Sequence, residues 1–304
     1  MKDINNVTID IEKIRKEKPI KELLNFAIIN IDKSSGPTSF DVDVIVKKNL
    51  GLSKTSHFGT LDPQVTGVLP VALGRACRLM GYFIGHKKEY VGLMHLHGDV
   101  SEKQLRTEMK EFIGQIDQLP PVKSRVKRQI RKREIYSFEI LEFDDKNKNV
   151  LFKSEVEAGT YIRKLVSDLG DKIGGAHMVE LRRVRASIFE EKDSVNLYDF
   201  EKAVKEYESG DESSLRKILI PGEIVSEVLP VVFIKNDRNF IEKLYHGSPL
   251  FKSIVEKDSK KLSKDDRIAV FCGDHFIGVF SVIEHATVLA KPEFVMQPLQ
   301  NKAN

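Results

Sequence analysis

One carboxylate stands apart in this sequence. Asp62 is the only acidic residue between Gly51 and Gly85, and a proline follows it directly. Pro63 fixes its own φ and pushes Asp62 toward an extended conformation. Glycines at 59 and 67 supply backbone freedom on either side. A carboxylate held on a stiff turn suits nucleophilic or general-base chemistry. The same residues also make an ordinary Asp-Pro turn, so this dipeptide alone does not establish a site.

Three more side chains could complete a site around such a carboxylate. Tyr90 begins a strand-like run, where an aromatic residue is more often a core or edge residue. Tyr161 and Arg163 lie two residues apart at a strand-to-helix junction. On extended chain both side chains would project from one face. Arg163 could equally be an ordinary salt-bridging residue at an interface.

Positive charge is concentrated in one segment of the chain. From Lys123 to Arg133, seven of eleven residues are basic and none is acidic. The net charge of +4 is too small to identify a nucleic-acid partner by itself. The run is either a solvated charged face or a surface for a polyanion, because uncompensated like charges repel one another.

The elements that would position these side chains mix strands and helices. Apolar runs typical of strands cover 26–31, 91–97, 135–143 and 150–156, and helical spacing covers 11–24, 39–51, 105–113 and 195–208. Thr38 and Ser39 offer an N-cap for the helix at 39–51, and a strand-to-helix junction covers 157–170. From about Leu229, short β-rich runs are separated by turns and by one short helix near 238–245. This spacing suggests a small β-barrel-like domain. The whole pattern predicts an α+β fold.

Composition and length exclude several classes of protein. With 304 residues, 41% hydrophobic and 31% charged, the chain is expected to be a soluble globular protein of about two domains. It lacks a long apolar run and a signal-peptide pattern, so we expect it to stay inside the cell, unanchored.

Cys77 and Cys272 are flanked by apolar residues and are predicted to be buried thiols. His95 and His97 lack a third ligand at suitable spacing, so no metal site is expected.

Several motifs resemble those of one enzyme family. HFGTLDPQVTGVLPVALG, residues 57–74, resembles a motif of the TruB-family pseudouridine synthases, and specifically of their dyskerin branch, the catalytic subunits of H/ACA guide-RNA particles. The resemblance implies that Asp62 is the catalytic residue. The sequence KEY at 88–90 is similar to the second family motif, which implies that Tyr90 stacks on the target base. GTYIRKL at 159–165 is similar to the third, which implies that Tyr161 packs in the pocket and that Arg163 pairs with the catalytic Asp.

Other segments extend the resemblance. INIDKSSGPTSF at 29–40 resembles the first family motif, with Ser34 in place of a common proline and Phe40 in place of a common histidine. For Lys33 we infer only a structural role. HMVELRR at 177–183 implies a pocket-lining role for Leu181, and His57 is also assigned to the pocket. The segment at about 121–133 matches the family's mobile thumb loop, and RNA contacts are expected from Lys123, Arg125, Lys127, Arg128 and Arg182.

The resemblance also implies an overall organisation. Residues 1–24 would be an N-terminal extension packing on a C-terminal PUA RNA-binding domain at 229–304. Residues 25–228 would be the pseudouridine synthase domain, built on a mixed, mainly antiparallel sheet. No cofactor is expected. The implied partners are the guide RNA, substrate rRNA or tRNA, and small accessory proteins: a zinc-ribbon-like one, a glycine-arginine-rich type, and a kink-turn binder that joins through RNA. We expect a cytoplasmic location in an archaeal-type cell, or a nucleolar one in a eukaryote.

These motifs lead to one structural hypothesis with two alternatives. Arg163 would keep Asp62 ionised and aimed in a pocket that excludes water, while Tyr90 stacks on a flipped uracil. One alternative is a stand-alone synthase acting on the T-loop uridine of tRNA. The other is a non-catalytic RNA-binding scaffold, which would have no need of a paired acid and arginine. Whether the carboxylate adds to the base, adds to the sugar or removes a sugar proton is left open.

Overall fold

The structure is a computed structural model that describes residues 8–120, 127–258 and 261–297. The chain forms two compact units. One lies within residues 28–218, and the other combines residues up to 27 with those from 219 onward. Both units mix helices and strands, so the predicted α+β class is confirmed.

The helices and strands have the following bounds. The helices are α1 (Ile11–Glu17), α2 (Ile20–Asn25), α3 (Ser39–Asn49), α4 (Met80–Phe83), α5 (Glu102–Lys110), α6 (Ile162–Ile173), α7 (Leu197–Glu208), α8 (Ser213–Ile218) and α9 (Arg238–Tyr245). Short 3-10 helices cover Gly74–Leu79, Glu191–Asp193, Gly222–Glu227 and Lys252–Ile254. The strands are β1 (Ala27–Lys33), β2 (Thr55–His57), β3 (Thr66–Leu73), β4 (Lys88–Leu96), β5 (Gly114–Gln118), β6 (Arg131–Asp144), β7 (Asn149–Val156), β8 (Ala176–Ala186), β9 (Phe189–Glu190), β10 (Val195–Asn196), β11 (Leu219–Pro221), β12 (Val231–Ile234), β13 (Leu250–Phe251), β14 (Val255–Asp258), β15 (Arg267–Cys272), β16 (His275–Val282) and β17 (Val288–Val295).

The larger unit is built on a mixed, mainly antiparallel sheet, as predicted. Its strands follow the order β10-β1-β3-β8-β4-β7-β6-β5, with β2 beside β3 and β9 beside β8. The pairs β1–β10 and β3–β8 are parallel. The other neighbours along this path are antiparallel. Helix α6 packs on β8 through an apolar stripe that recurs every three or four residues, formed by Ile162, Leu165, Val166, Leu169 and Ile173.

The smaller unit contains a six-stranded sheet, which confirms the small β domain predicted from strand spacing. The order is β13-β17-β16-β15-β12-β14, and β12 runs parallel to β15. Its core includes Val232, Leu244, Ile268 and Phe280, each at most 1% exposed. Helix α9, which was predicted near 238–245, contributes Leu244.

The N-terminal helices contact the sheet of the same unit. Lys13 Nζ lies 2.7 Å from Asp274 Oδ2, in the turn between β15 and β16. The Phe26 ring stacks on Phe276 with centroids 5.4 Å apart. The single helix predicted over 11–24 is wrong, because Pro19 interrupts it. Lys18, the residue before that proline, is extended at φ −69° and ψ 133°, which ends α1.

The cysteines are buried and free, as predicted, and burial raises the pKa of both the Cys77 and Cys272 thiols. His97 lies on β4, and its Nε2 is 2.8 Å from His177 Nδ1 on β8. Across the described ranges, we find no group of three or more metal-ligating side chains arranged to hold an ion. None of the helices in those ranges combines the length and apolar character needed to cross a membrane.

Candidate active site

Asp62 lies on a turn whose two ends are anchored in the core. Leu61 and Val65 are 3% and 4% exposed, whereas the three residues between them are exposed. The Val65 N–H donates to the Asp62 carbonyl oxygen at 3.0 Å and closes the turn. The buried anchors therefore force the carboxylate outward, which confirms the stiff turn predicted from Asp-Pro.

A buried lysine holds this turn from beneath. Lys33 is fully buried at the end of β1, and its Nζ donates to the carbonyl oxygens of Ser34, Pro63 and Val65 at 2.9, 2.9 and 2.8 Å. Burial lowers the pKa of Lys33, and the negative charge of Asp62 acts in the opposite direction. The structural role inferred for Lys33 is confirmed, since three main-chain acceptors converge on one ammonium group.

Helix α3 fixes the same turn at a second point. The Ser39 hydroxyl accepts from the Leu61 N–H at 2.8 Å and lies 3.1 Å from the Leu61 carbonyl oxygen, to which it donates. Ser39 is placed by a capping box in which Thr38 accepts from the Asp41 N–H and Asp41 accepts from the Thr38 N–H. The Thr38 N-cap was predicted from the sequence and is confirmed.

Arg183 supports the turn from the neighbouring strand. It is 1% exposed, and its Nε and Nη2 donate to the carbonyl oxygens of Val68 and Gly59 at 2.8 and 2.9 Å. Sequence reasoning missed this residue, although alternation along β8 places Leu181 and Arg183 on the buried face and Arg182 on the other. That alternation was the available signal.

The acid and the arginine that the resemblance pairs lie together. Arg163 Nη1 is 3.5 Å from Asp62 Oδ2. Gln64 lies on the same turn, and with its amide oxygen toward the guanidinium it accepts from Arg163 Nη1 at 3.1 Å and from Nη2 at 3.3 Å. Gln64 was not identified from the sequence. The turn therefore offers two acceptors to one guanidinium group, while the catalytic roles of Asp62 and Arg163 stay predictions.

Two features of this pair differ from expectation. Tyr161 is the N-cap of α6 and Arg163 is inside its first turn, so the argument from extended chain was wrong. The backbone becomes helical directly after Tyr161, and residues two apart on a helix do not share a face. The side chains of Asp62 and Arg163 are also 58% and 53% exposed. The described part of the chain does not enclose them, because the turn projects outward between its buried anchors.

A residue that sequence reasoning missed fixes the backbone of Tyr161. Gln118, at the end of β5, is 1% exposed. Its Oε1 accepts from the Tyr161 N–H at 3.0 Å, and its Nε2 donates to the Tyr161 carbonyl oxygen at 3.2 Å. From β6, Arg133 Nε donates to the Gly159 carbonyl oxygen at 3.1 Å. The hairpin β5–β6 thus holds the loop that leads into Arg163.

Replacing Gln118 by leucine is expected to slow catalysis more than it weakens RNA binding. The change removes both hydrogen bonds to Tyr161 and lets the start of α6 shift, which would displace Arg163. We expect single-turnover rates to fall by about 10- to 100-fold, since small misplacements near reacting groups have effects of that size. Gln115→Leu is the matched control, because Gln115 lies on the same strand and is exposed. Equal rates for the two variants would contradict the positioning role.

Tyr90 and Leu181 lie on the buried face of neighbouring strands. Tyr90 is 9% exposed on β4 and is paired in register with Ser154 on β7 and with Arg183 on β8. Leu181 lies opposite Gly92, where a Cβ would come within 3.2 Å of Leu181 Cδ1. Both residues therefore neighbour the strand position that supports the Asp62 turn. The stacking role of Tyr90 and the pocket role of Leu181 stay predictions.

Lys88 is a second buried cation in this region. It is 5% exposed, and its Nζ donates to the carbonyl oxygens of Ile84 and His86 at 2.5 and 2.6 Å. Burial, with a smaller contribution from the positive charge of Arg183, lowers the pKa of Lys88 to about 8.

Wild-type stability, relative to the Lys88→Met variant, is expected to rise as the pH increases from about 8 to 10.5. In that window the folded protein has lost the Lys88 proton while the unfolded chain still binds it, so increasing pH favours folding. The difference corresponds to roughly 3 kcal/mol over the window. Urea unfolding at several pH values measures it, with Lys87→Met as the control because Lys87 is exposed. A stability difference between wild type and Lys88→Met that does not change with pH would contradict the depressed pKa of Lys88.

His57 lies at the end of β2, five residues before Asp62. Its Nδ1 is 2.7 Å from Asp43 Oδ2, and its Nε2 is 3.1 Å from Thr60 Oγ1. The ring is thus held at both nitrogens beside the turn, and its pocket role stays a prediction.

The basic residues predicted to contact RNA differ in exposure and in whether the structure describes them. Lys123 and Arg125 lie outside the described residues. Lys127 and Arg128 are exposed in the segment before β6, whereas residues 131–133 of the predicted loop belong to that strand. Of the RNA contacts predicted in this segment, those of Lys127 and Arg128 fall on described, exposed side chains, and they stay predictions.

Arg182 is engaged in ion pairs. Its Nη2 lies 2.9 Å from Asp32 Oδ2, and its Nε lies 2.5 Å from Glu191 Oε1. The hydrogen bond to Asp32, more than that to Glu191, raises the pKa of Arg182. Because two carboxylates already compensate its charge, the geometry favours a structural role, and the RNA contact predicted for Arg182 is not carried further.

Comparison with solved structures extends these observations over most of the chain. A crystal structure of a Cbf5-Nop10-Gar1 complex contains a chain that is 39% identical, with a TM-score of 0.85 over 93% of this chain and 89% of that one. A chain in an H/ACA RNP structure bound to a substrate RNA containing 2′-deoxyuridine is 38% identical, with a TM-score of 0.84 over the same shares. At this coverage the likeness includes the C-terminal β domain, consistent with a PUA-like module.

Sequence comparison also finds pseudouridine synthases. Residues 47–162 match the N-terminal domain of TruB family pseudouridylate synthases, and residues 163–226 match the C-terminal domain of tRNA pseudouridylate synthase B. A probable tRNA pseudouridine synthase B from Methanopyrus kandleri is 43% identical over 84% of this chain and 75% of its own length. The corresponding protein of Thermococcus onnurineus is 45% identical over 84% of this chain and 76% of its own length. With the acid, the arginine and the buried supports of the turn in place, the chain belongs to the TruB family of pseudouridine synthases.

Proposed function

We propose that this protein isomerises uridine to pseudouridine in rRNA as the catalytic subunit of an H/ACA-type guide ribonucleoprotein. The observation that carries the proposal is the approach of Arg163 to Asp62, 3.5 Å apart on a turn held by buried Lys33 and Arg183. The solved chains that share its fold over 93% of its length come from complexes named for Cbf5 with Nop10 and Gar1 and for an H/ACA RNP.

The reaction needs one well-placed carboxylate. The bond from ribose C1′ to uracil N1 breaks and a bond from C1′ to C5 forms, while C5 loses a proton and N1 gains one. Asp62 begins this exchange by adding to the base or sugar or by removing a sugar proton. Arg163 stabilises the carboxylate charge and holds its orientation through a charge-assisted contact. Tyr90 stacks on the uracil, and no electron donor or outside group is required.

RNA completes the enclosure of the site in this proposal. Asp62 is 58% exposed, so water is excluded only when the substrate covers the turn. Extruding a base from a helix costs a few kcal/mol, and stacking on an aromatic ring returns roughly 1 to 3 kcal/mol. A target that arrives unpaired is therefore favoured. A guide RNA that pairs on both sides of the uridine would deliver it so, with Lys127 and Arg128 contacting phosphates.

The proposed partners are those that the resemblance to the dyskerin branch implies. Small accessory proteins would complete the particle: a zinc-ribbon-like one, a glycine-arginine-rich type, and a kink-turn binder that joins through RNA. The particle would work in the cytoplasm of an archaeal-type cell, or in the nucleolus of a eukaryote.

Reconstitution tests guide dependence. Purified protein is incubated with a short rRNA substrate and with a tRNA transcript, each with and without guide RNA and accessory proteins. We expect pseudouridine at the guide-selected uridine only when the guide is present. Modification of tRNA alone, with no activity on the guide-paired substrate, would overturn the guide-dependent function.

A stand-alone tRNA synthase is the second candidate function. The observation that favours it is the name tRNA pseudouridine synthase B carried by the relatives of Methanopyrus kandleri and Thermococcus onnurineus. The tRNA arm of the same reconstitution decides it. Conversion of the T-loop uridine without guide would support this second activity.

A further inference from the structure

Asp43 is a buried carboxylate that the proposed chemistry does not use. It lies on α3 at 8% exposure. Its Oδ2 lies 2.7 Å from His57 Nδ1, while its Oδ1 is buried and has no hydrogen-bond partner among the residues that the structure describes. Burying a polar oxygen without a hydrogen-bond partner is costly, so such an atom calls for an explanation.

Pairing with a carboxylate at position 43 assigns the proton of His57 to one ring nitrogen. An ionised carboxylate can only accept hydrogen bonds, so Nδ1 must be the donor to Asp43. In the neutral ring Nε2 is then the acceptor, and it faces the hydroxyl of Thr60 at 3.1 Å. A hydrogen-bonded chain therefore runs from Asp43 through His57 to Thr60, an exposed residue two positions before Asp62.

Helix α3 contacts the segment that leads to Asp62 at two points. Ser39 bonds both main-chain groups of Leu61, and Asp43 lies one helical turn further along on the same face. The first contact fixes the backbone next to Asp62, and the second fixes the side chain of His57. Lys33 and Arg183 bond only main-chain carbonyl groups of the turn region, so Asp43 differs from them in orienting a side chain.

We infer that Asp43 is a positioning residue that sets the tautomer and orientation of His57 and, through Thr60, the segment carrying Asp62. The inference rests on the proposed function, because its effect is on the rate of pseudouridine formation. Two properties distinguish it from a general contribution to folding. The effect must pass through His57, and it must need a hydrogen-bond acceptor at position 43 rather than a negative charge.

The experiment compares Asp43→Ala, Asp43→Asn, His57→Ala and the double variant Asp43→Ala/His57→Ala. Each is assayed in the reconstituted particle for single-turnover rate and for RNA dissociation constant. We expect Asp43→Ala to lose about tenfold in rate, with RNA affinity within about twofold of wild type. Asp43→Asn should stay within about threefold of wild type, because its amide oxygen still accepts from Nδ1. The double variant should be no slower than the slower single variant.

Val44→Ala is the matched control. Val44 is exposed on the same helix, and its loss leaves the capping box, Ser39 and His57 in place. We expect its single-turnover rate to stay at the wild-type value. Nitrogen-15 NMR of the His57 ring gives a second readout, in which the protonated Nδ1 of wild type should be kept by Asp43→Asn and lost in Asp43→Ala.

Three results would overturn the inference. They are a wild-type rate for Asp43→Ala, a rate for Asp43→Asn as low as that of Asp43→Ala, and a double variant whose loss is the product of the two single losses. An inactive wild type in the same assay would instead overturn the proposed function. The NMR comparison would still decide whether Asp43 sets the tautomer of His57.

Discussion

Replacement of Asp62 by asparagine is expected to lower the rate of pseudouridine formation by about 10⁴-fold or more, the size of effect seen when a nucleophile or base is removed. Asparagine keeps the shape of the side chain but can neither attack carbon nor accept a proton as a carboxylate does. RNA binding should stay close to wild type, since the phosphate contacts are proposed for Lys127 and Arg128 and not for Asp62. Single-turnover assays and RNA titrations of the same preparation measure the two quantities.

Measuring the stability of Asp62→Asn in parallel separates a loss of activity from a loss of folding. Asp62 and Arg163 are 58% and 53% exposed, and an ion pair in such a position contributes about 0 to 1 kcal/mol. The Asp62→Asn variant should therefore unfold at nearly the wild-type denaturant concentration. Asp171→Asn is a matched control, because Asp171 is exposed on α6, the helix that carries Arg163. Activity of Asp62→Asn equal to that of this control would remove Asp62 from the mechanism.

The Gly67→Ala variant is expected to lose about 3 to 6 kcal/mol of unfolding free energy, or to fail to fold. Gly67 is paired with Arg183 where β3 runs parallel to β8. A Cβ at Gly67 would lie 2.2 Å from the Arg183 carbonyl oxygen and 2.9 Å from its nitrogen. Its φ of +102° also lies in the region that side-chain-bearing residues rarely adopt. Backbone atoms cannot move aside as a flexible side chain would, so strain and overlap add.

Chemical denaturation of the purified variant measures this loss. Gly81→Ala is the control, since Gly81 lies in α4 with no atom within 4 Å of the position its Cβ would take. That change should be neutral or stabilising by up to about 1 kcal/mol, because alanine favours the helix. If Gly67→Ala were as stable as the wild-type protein, β3 and β8 would not need to approach so closely.

The activity could be expected from the sequence because its signals are local. Pro63 and the glycines at 59 and 67 predict the turn that presents Asp62, and both glycines have positive φ, at +104° and +102°. Thr38 predicts the start of α3, and apolar periodicity predicts the α+β class. Such signals depend on neighbouring residues and are readable without a structure. The motif at 57–74 added the identity of the reaction.

Sequence reasoning failed where partners are distant. Arg183 and Gln118, which were missed, act on main-chain groups, and neither a carbonyl acceptor nor an N–H donor of the backbone has a signature in the side chains around it. The main-chain acceptors of Lys33 were hidden for the same reason, although its structural role was inferred. The same holds for Asp43, whose partner His57 lies on another element. Placement of Arg163 on extended chain was wrong because the start of α6 is determined partly by Gln118, 43 residues away from Tyr161.

The sequence by itself thus determined the fold class, the turn and the reaction, since local backbone preferences and a long motif carry that information. Only the tertiary structure decided which buried side chains hold the turn and which helix delivers Arg163. It also decided how open the Asp62–Arg163 pair is to solvent. These properties depend on burial and on long-range hydrogen bonds, which exist only once distant strands and helices have packed together.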